Sequence, residues 1–333
     1  MKAFAIKKYD KKSVLELTDV LAPIVKEDEV LVEIHASGLN LLDAKIKSGE
    51  FKMILPYKLP LILGHDVAGI ITKVGKQVTG FKVGDEIYAR VADFHIGTFA
   101  EYIAINEKDV ALKPKNITME EAASIPLVAL TAWQALVEKT KLKKGQKVFI
   151  QAGSGGVGTI AIQLAKHLGA TVATTASEKS FAMLKGLGAD ILIDYKKEDF
   201  ESVLKDYDIV LNSQDTKTLE KSLRILRPGG KVISISGPPT PAFADAIGAS
   251  WIIKTVLSLI SFGIRKKAKK LAIDYSFLFM RADGKQLSEI TSLIEAGVII
   301  PVLDKVFPFE QTNDALAYVE SGHAKGKVVV KTK

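Results

Sequence analysis

One stretch constrains the fold more than any other: VFIQAGSGGVGTIAIQLAKHLGA, residues 148–170. An apolar run leads into Gly153, Gly155 and Gly158, which satisfy G-x-G-x-x-G, and a helical pattern comes next. Glycines at that spacing let a strand turn sharply into a helix and let backbone approach a pyrophosphate. The helix starting near Val157 then offers free N–H groups and the positive end of its dipole to an anion. A tight turn with no ligand is the alternative reading of the same glycines.

The chain on either side of this loop agrees with the dinucleotide reading. From Lys147 it alternates strand and helix patterns: KVFIQA, TIAIQLAKHLG, TVATTAS, SFAMLKGLG, DILIDY, DIVLNS, TLEKSLRILRPGG, KVISISG. The strand segments are continuously apolar, as they must be when helices cover both faces of a parallel sheet. This predicts a doubly wound α/β domain. The tip of its second strand, Thr174-Thr175-Ala176-Ser177, carries no acid to accept from the ribose hydroxyls of NAD. Ser177 and Lys179 can donate to a 2′-phosphate, so NADPH is the expected cofactor; Glu178 is the contrary feature.

The first 115 or so residues have a different rhythm. VLVEIHASG (30–38), VAGIITKVG (67–75) and DEIYARV (85–91) alternate or are briefly apolar, with glycines at their joins. Short, closely spaced strands suggest a small β-barrel-like domain. Helical periodicity starts near Thr118, which is placed to cap, with Glu121 three residues on. At 333 residues a two-domain chain is the natural expectation.

Composition removes several function classes. The chain has no cysteine, hence no disulfide and no thiolate metal site, which suits a reducing cytoplasm. MKAFAIKKYD has no apolar run of signal-peptide length. The net charge of +8 suits anionic partners. Its basic residues are scattered apart from KLKKGQK and RKKAKK, and no nucleic-acid motif is present. The longest apolar stretch, Trp251 to Ile264, is interrupted by Lys254 and is too short to span a bilayer. WIIKTVLSLISFGIRKKAKK has two readings: an amphipathic helix on a membrane surface, or a helix packed on the sheet or lining the active-site mouth with a solvated basic end. The packed helix is the favoured reading. YSFLFM (275–280) reads as a buried or subunit-pairing strand, which implies a homodimer, and VVVKT (328–332) as a closing strand.

ASGLNLLDAKIKSG, LPLILGHDVAGIITKVG, FKVGDEIYA, AGSGGVG, LGADILIDY, LRPGGKVISISG and GHAKGKVVV together resemble the medium-chain dehydrogenase/reductase family over nearly the whole chain. Their order and spacing are similar to its zinc-free quinone oxidoreductase and alkenal/enone reductase branch. The resemblance implies an α/β protein. A GroES-like catalytic domain would span 1–122 and be completed by 283–333; a Rossmann cofactor domain would span 123–282. The active site would lie in the cleft between them.

Zinc-dependent members have a cysteine where this chain has Asn40, and their proton-relay histidine falls at Lys45. Their next ligand matches His65, their following acid matches Asp66, and their last cysteine is missing around Leu127–Thr131. Three firm ligands cannot be assembled from such a set, so no metal is expected. His65 is then a satisfied histidine or a polar group facing substrate.

The resemblance implies hydride transfer from NADPH to a small-molecule quinone or α,β-unsaturated carbonyl. Asn40, Lys45 and Tyr57 are the candidate donors, Tyr57 having ordinary packing as its alternative role. Its cofactor contacts carry over to Asn40, Lys45, Thr131, Gly156, Val157, Thr175, Ser177, Lys179, Tyr195, Gly237, Lys325 and Lys327. Tyr195 is also readable as strand-end packing, and the last two lysines as solvated. The alternatives are a zinc-type alcohol dehydrogenase and an NADPH-binding protein with little turnover.

Overall fold

The structure, a computed structural model, describes residues 1–333. The chain divides into two compact units, Met1–Leu130 with Arg281–Lys333, and Thr131–Met280.

The first unit begins with a small antiparallel sheet, in which β1 (Lys2–Ile6) pairs with β2 (Glu16–Asp19). β3 (Glu29–Leu39) is the long central strand; β1 is also paired by β4 (Leu61–Ile62). β3 is flanked by β5 (Asp66–Val74) and β7 (Tyr102–Asn106), and β5 by β6 (Glu86–Arg90), which pairs with β8 (Val110–Leu112). The alternation read in 30–38 is what this position demands. Val30, Val32 and Ile34 point into a core with Val67, Ile71 and Ile87, and the intervening positions are less buried.

The second unit is one parallel sheet. Its strands are β9 (Lys147–Ile150), β10 (Thr171–Ala176), β11 (Ile191–Asp194), β12 (Tyr207–Asn212), β13 (Leu226–Ser234) and β14 (Asp274–Phe277). Their spatial order is β11-β10-β9-β12-β13-β14, all parallel. Numbered from β9, that is 3-2-1-4-5-6, the dinucleotide-binding order, and its reversal lies between β9 and β12. Phe149, Ala173, Val210 and Val232 are essentially inaccessible, as strands covered on both faces require.

The chain then returns to the first unit. β15 (Leu303–Pro308) and β16 (Lys327–Lys331) extend its main sheet to the order β15-β16-β3-β5-β6-β8. The antiparallel pairing of β16 with β3 sets Val328 opposite Leu39, and so brings Lys327 close to Asn40.

Three local expectations are refined. The helical pattern after Thr118 is broken at Pro126 into Met119–Ala123 and Pro126–Trp133, because the residue before a proline avoids helical geometry. Thr118 does cap: its Oγ accepts from Glu121 N at 3.2 Å and the Glu121 carboxylate accepts from Thr118 N at 2.8 Å. The first unit extends to Leu130, beyond the expected 122, because the Met119–Ala123 helix packs on β3 and β5 and Asp66 accepts from Leu127 N. Of YSFLFM, only the segment to Phe277 is in the sheet, at its edge.

Candidate active site

In the second unit the glycines of the 153–158 loop divide their labour as the physics of a phosphate loop requires. Ala152 holds φ 51°, a left-handed turn straight after β9. A Cβ on Gly153 would lie 2.2 Å from Thr174 Oγ1, and one on Gly158 would lie 2.5 Å from the Ala152 carbonyl. Both positions therefore exclude side chains, one for the turn and one for helix-to-strand packing. A Cβ on Gly155 would meet only the Ala152 carbonyl, at 3.3 Å, so its outer side is open for backbone to approach a ligand. Gly155 is also the N-cap of the Gly156–His167 helix and supplies no side-chain cap. The first N–H groups of that helix, those of Gly156 and Val157 among them, thus have no intrahelical acceptor. Thr175 anchors the loop from β10, its Oγ1 accepting from Ala152 N at 3.2 Å and its carbonyl from Gly153 N at 3.0 Å. The residues present fit a dinucleotide pyrophosphate.

At the tip of β10, Ser177 opens a 3-10 turn without using its hydroxyl as a cap. Lys179 is exposed and unpaired. Glu178, the contrary feature, is held in an exposed ion pair with Lys197 at 2.6 Å. Tyr195 comes directly after β11 and is 61% exposed, with the Lys196 ammonium 5.9 Å from its ring centre. The tip therefore presents a hydroxyl, an accessible ring and unpaired ammonium groups, a set that complements a phosphate.

Sequence reasoning missed a buried polar chain across the carboxyl ends of the central strands. Gln151 Nε2 donates to Ser222 Oγ at 2.6 Å, and Asn212 Nδ2 donates to Gln151 Oε1 at 2.7 Å. Ser234 Oγ donates to Asn212 Oδ1 at 2.6 Å and accepts from Gly237 N at 2.7 Å. This chain ties β9, β12 and β13 together at the topological switch point and fixes the turn at Gly237. Its signal was present: the apolar runs VFI, IVL and VI are each followed directly by a polar residue, Gln151, Asn212 and Ser234. Thr131, also among the expected contacts, is buried at the start of this unit.

The first unit holds a second buried polar cluster. Lys327 is 5% exposed, and its ammonium donates to Leu39 O at 2.9 Å, Asn40 Oδ1 at 2.6 Å and Asp66 Oδ2 at 3.1 Å. All three of its protons are committed inside the protein. Asn40 Nδ2 donates to Asp66 Oδ2 at 3.0 Å, and Asp66 Oδ1 accepts from Leu127 N at 2.8 Å. His65 is fully buried; its Nδ1 lies 2.6 Å from Asp43 Oδ1 and its Nε2 has no partner. The Asp43 carboxylate accepts from Nδ1, so in a neutral ring the lone pair is on Nε2. Tyr57 is buried against Phe94, with ring centres 5.3 Å apart, and its hydroxyl accepts from Phe94 N at 3.4 Å. Burial first, then the nearby Asp93 carboxylate, push its pKa well above that of free tyrosine. The Tyr57 hydroxyl therefore stays protonated throughout the neutral range, with its proton committed to no protein acceptor. Lys45, on the Leu41–Ser48 helix, is half-buried and Lys325 exposed on the loop before β16; neither ammonium has an ion-pair partner.

This donor set does not fit a zinc ion. A lone pair backed by a carboxylate is what a liganding histidine presents, but no group of three His, Asp or Glu side chains converges anywhere in the chain. Both Asp66 oxygens are taken, one of them by an ammonium that already supplies the positive charge.

A parallel sheet in dinucleotide-binding order with a glycine loop at its switch point, joined to a β-rich unit with a buried polar cluster, defines a two-domain, dinucleotide-dependent oxidoreductase. Residues 26–115 match the alcohol dehydrogenase GroES-like domain and residues 187–330 the zinc-binding dehydrogenase domain. The chain is 37% identical over 341 residues to the chloroplastic NADPH-dependent alkenal/one oxidoreductase of Arabidopsis thaliana, and 38% identical to the 2-methylene-furan-3-one reductase of Solanum lycopersicum. Both alignments cover 99% of this chain and 79% of the relative. Among solved structures it is similar to the quinone oxidoreductase of Coxiella burnetii, with a TM-score of 0.87 and 28% identity over 100% of this chain and 99% of that one. The chain belongs to the medium-chain dehydrogenase/reductase family, in its branch of quinone oxidoreductases and alkenal/one reductases. The Arabidopsis relative is chloroplastic by name, not cytoplasmic.

Proposed function

We propose that the protein is a zinc-independent, NADPH-dependent reductase of quinones or α,β-unsaturated carbonyls. The observation that carries this reading is the state of Asp66. The carboxylate that would complete a metal site is instead neutralised by Lys327 and Asn40. Alcohol oxidation in this family's zinc members leans on a Lewis acid, whereas a conjugated carbonyl needs only donors for the oxygen that gains charge. Names of the relatives, an alkenal/one oxidoreductase, a methylene-furanone reductase and a quinone oxidoreductase, support the same substrate class.

NADPH, when bound, would supply a hydride for the β-carbon of such a substrate; the double-bond pair would move toward the carbonyl oxygen and the α-carbon would take a proton from water. The Tyr57 hydroxyl, neutral and with its proton free, is the leading donor to that oxygen, with the Lys45 ammonium as the second. Asn40 is held in place by Lys327 and Asp66 and positions this side of the unit. The open side of Gly155 and the N–H groups at Gly156 and Val157 would hold the pyrophosphate. Ser177, Lys179 and Tyr195 would hold the 2′-phosphate, since Glu178 is tied to Lys197.

The test is steady-state oxidation of NADPH and NADH against a panel of quinones, 2-alkenals and enones, with products identified by mass. Turnover of one class, faster with NADPH and unchanged after dialysis against a chelator, is expected. Activity lost on chelation, or cofactor binding with no turnover across the panel, would overturn the reading.

A homodimer paired through β14 is part of the same proposal, because an open edge strand is an aggregation hazard that an isologous pairing removes. Light scattering at micromolar concentration should give twice the chain mass; a monomer would refute it.

A further inference from the structure

The Trp251–Lys270 helix packs on the second unit with a solvated basic end, as the favoured sequence reading expects, but only a small part of its surface is used. Its buried side is narrow: Leu257, Ser261, Ile264 and Ala268 are buried at helical spacing, and Ile264 and Ala268 join the core with Val210 and Val232 of the sheet. The large apolar residues lie on the other side. Trp251 is 76% exposed, Leu259 71% and Phe262 58%, with Ile252 and Ile260 beside them. Contiguous apolar surface of this kind on a folded protein marks an interaction site.

The charge pattern says what the site meets. The helix contains no acid, and its last turns carry Lys266, Lys269 and Lys270, all exposed and without carboxylate partners. Lys266 lies 5.8 Å from the Phe262 ring centre, so the basic end continues the apolar face rather than opposing it. The other two lysines of the helix are occupied, Lys254 with Asp245 and Lys267 with Glu220. A second copy would bring no carboxylate on this face to meet the three free ammonium groups. An anionic bilayer surface supplies both complements, acyl chains for the aromatic and aliphatic side chains and phosphates for the lysines. No helix of the chain is long and apolar enough to cross a membrane, so this one would lie in the surface plane, about 30 Å long at the usual helical rise.

We infer that the Trp251–Lys270 helix docks the protein peripherally on membranes rich in anionic lipid. The inference stands apart from the substrate reading and is tested without any substrate. The full chain is sedimented with vesicles of phosphatidylcholine alone and of phosphatidylcholine containing phosphatidylglycerol, and Trp251 emission is followed in a Trp133→Phe background. Binding to the anionic vesicles, weakened by salt and accompanied by a blue shift, is expected. Leu259→Glu with Phe262→Glu should abolish it. Lys266→Glu with Lys269→Glu and Lys270→Glu should weaken it by at least about tenfold. Circular dichroism of each variant verifies folding. No binding to either vesicle, or binding that both sets of substitutions leave intact, would overturn the inference. So would a drop in oligomer mass in the Leu259→Glu, Phe262→Glu variant, because the face would then belong to a second copy.

Discussion

Replacing Lys327 with methionine tests the buried cluster of the first unit directly. The ammonium makes three hydrogen bonds at 2.6–3.1 Å, to Asn40 Oδ1, Leu39 O and Asp66 Oδ2. Asp66 itself has no accessible surface. Without the lysine its carboxylate keeps only the Leu127 N–H and one amide proton of Asn40, and remains buried with its charge uncompensated. Breaking one side of such a pair costs about 3–5 kcal/mol, a large part of the roughly 5–15 kcal/mol that holds a typical domain together. Adding Asp66→Asn removes the stranded charge, so the double variant should recover most of the loss. Urea unfolding of the wild type, both single variants and the double variant closes the cycle, and a coupling energy above about 2 kcal/mol is expected. Additive effects, or a loss below about 1 kcal/mol for Lys327→Met, would mean that the cation does not compensate Asp66 and would remove the basis for the metal-free reading.

Two further outcomes are expected. Lys179→Ala should weaken NADPH binding about tenfold, or 1.4 kcal/mol, the low end for a charge-assisted contact from an exposed side chain, and leave NADH unchanged; titrations with both cofactors check this, and equal weakening would refute the phosphate assignment. Asp109→Asn should stabilise the fold at neutral pH. Desolvation raises the folded-state pKa of Asp109 against the weaker opposing effect of a hydrogen bond from Ala92. The carboxylate therefore costs stability above that raised pKa, and the cost fades as pH falls into and below the ordinary carboxylate range, where the variant's advantage should vanish in thermal melts.

Much of the second unit was legible because its constraints are local. The turn, the open approach and the close packing at Gly153, Gly155 and Gly158 are set by residues within one strand–loop–helix and the strand directly after it, and the continuous apolar runs reflect a sheet covered on both faces. The polar cluster of the first unit was not legible in that way. Lys327 lies 287 residues from Asn40 and 261 from Asp66, and only the pairing of β16 with β3 unites them. As a sequence feature, Lys327 in GKVVV is a basic residue before a strand, equally readable as solvated or phosphate-binding. Its committed protons identify it as a group that organises the first unit. The Trp251–Lys270 helix was legible as a packed helix with a solvated basic end, but its buried side was not. Periodicity shows that a helix has an apolar side, but which side meets the protein depends on the surface offered to it, and here the narrow stripe through Leu257 and Ile264 won over the bulkier one.

The two charged clusters differ in burial, and so in what their charges can do. At the β10 tip the charges are exposed, so each contact contributes little in isolation and can be remade as a ligand arrives or leaves. Lys327 and Asp66 are buried, so their pairing is expensive to break and cannot exchange partners cheaply. A fixed internal cation of this kind cannot coordinate a substrate oxygen as an open metal site does, because every proton it has is spent. What it does is tie Asn40, the N-cap of the Leu41–Ser48 helix, to Asp66 and the Leu39 carbonyl. Under the proposed function, polarisation of a carbonyl would fall to groups whose protons remain free, the Tyr57 hydroxyl and the Lys45 ammonium. A scaffold arranged in this way suits substrates already activated by conjugation, which need a positioned donor more than a Lewis acid.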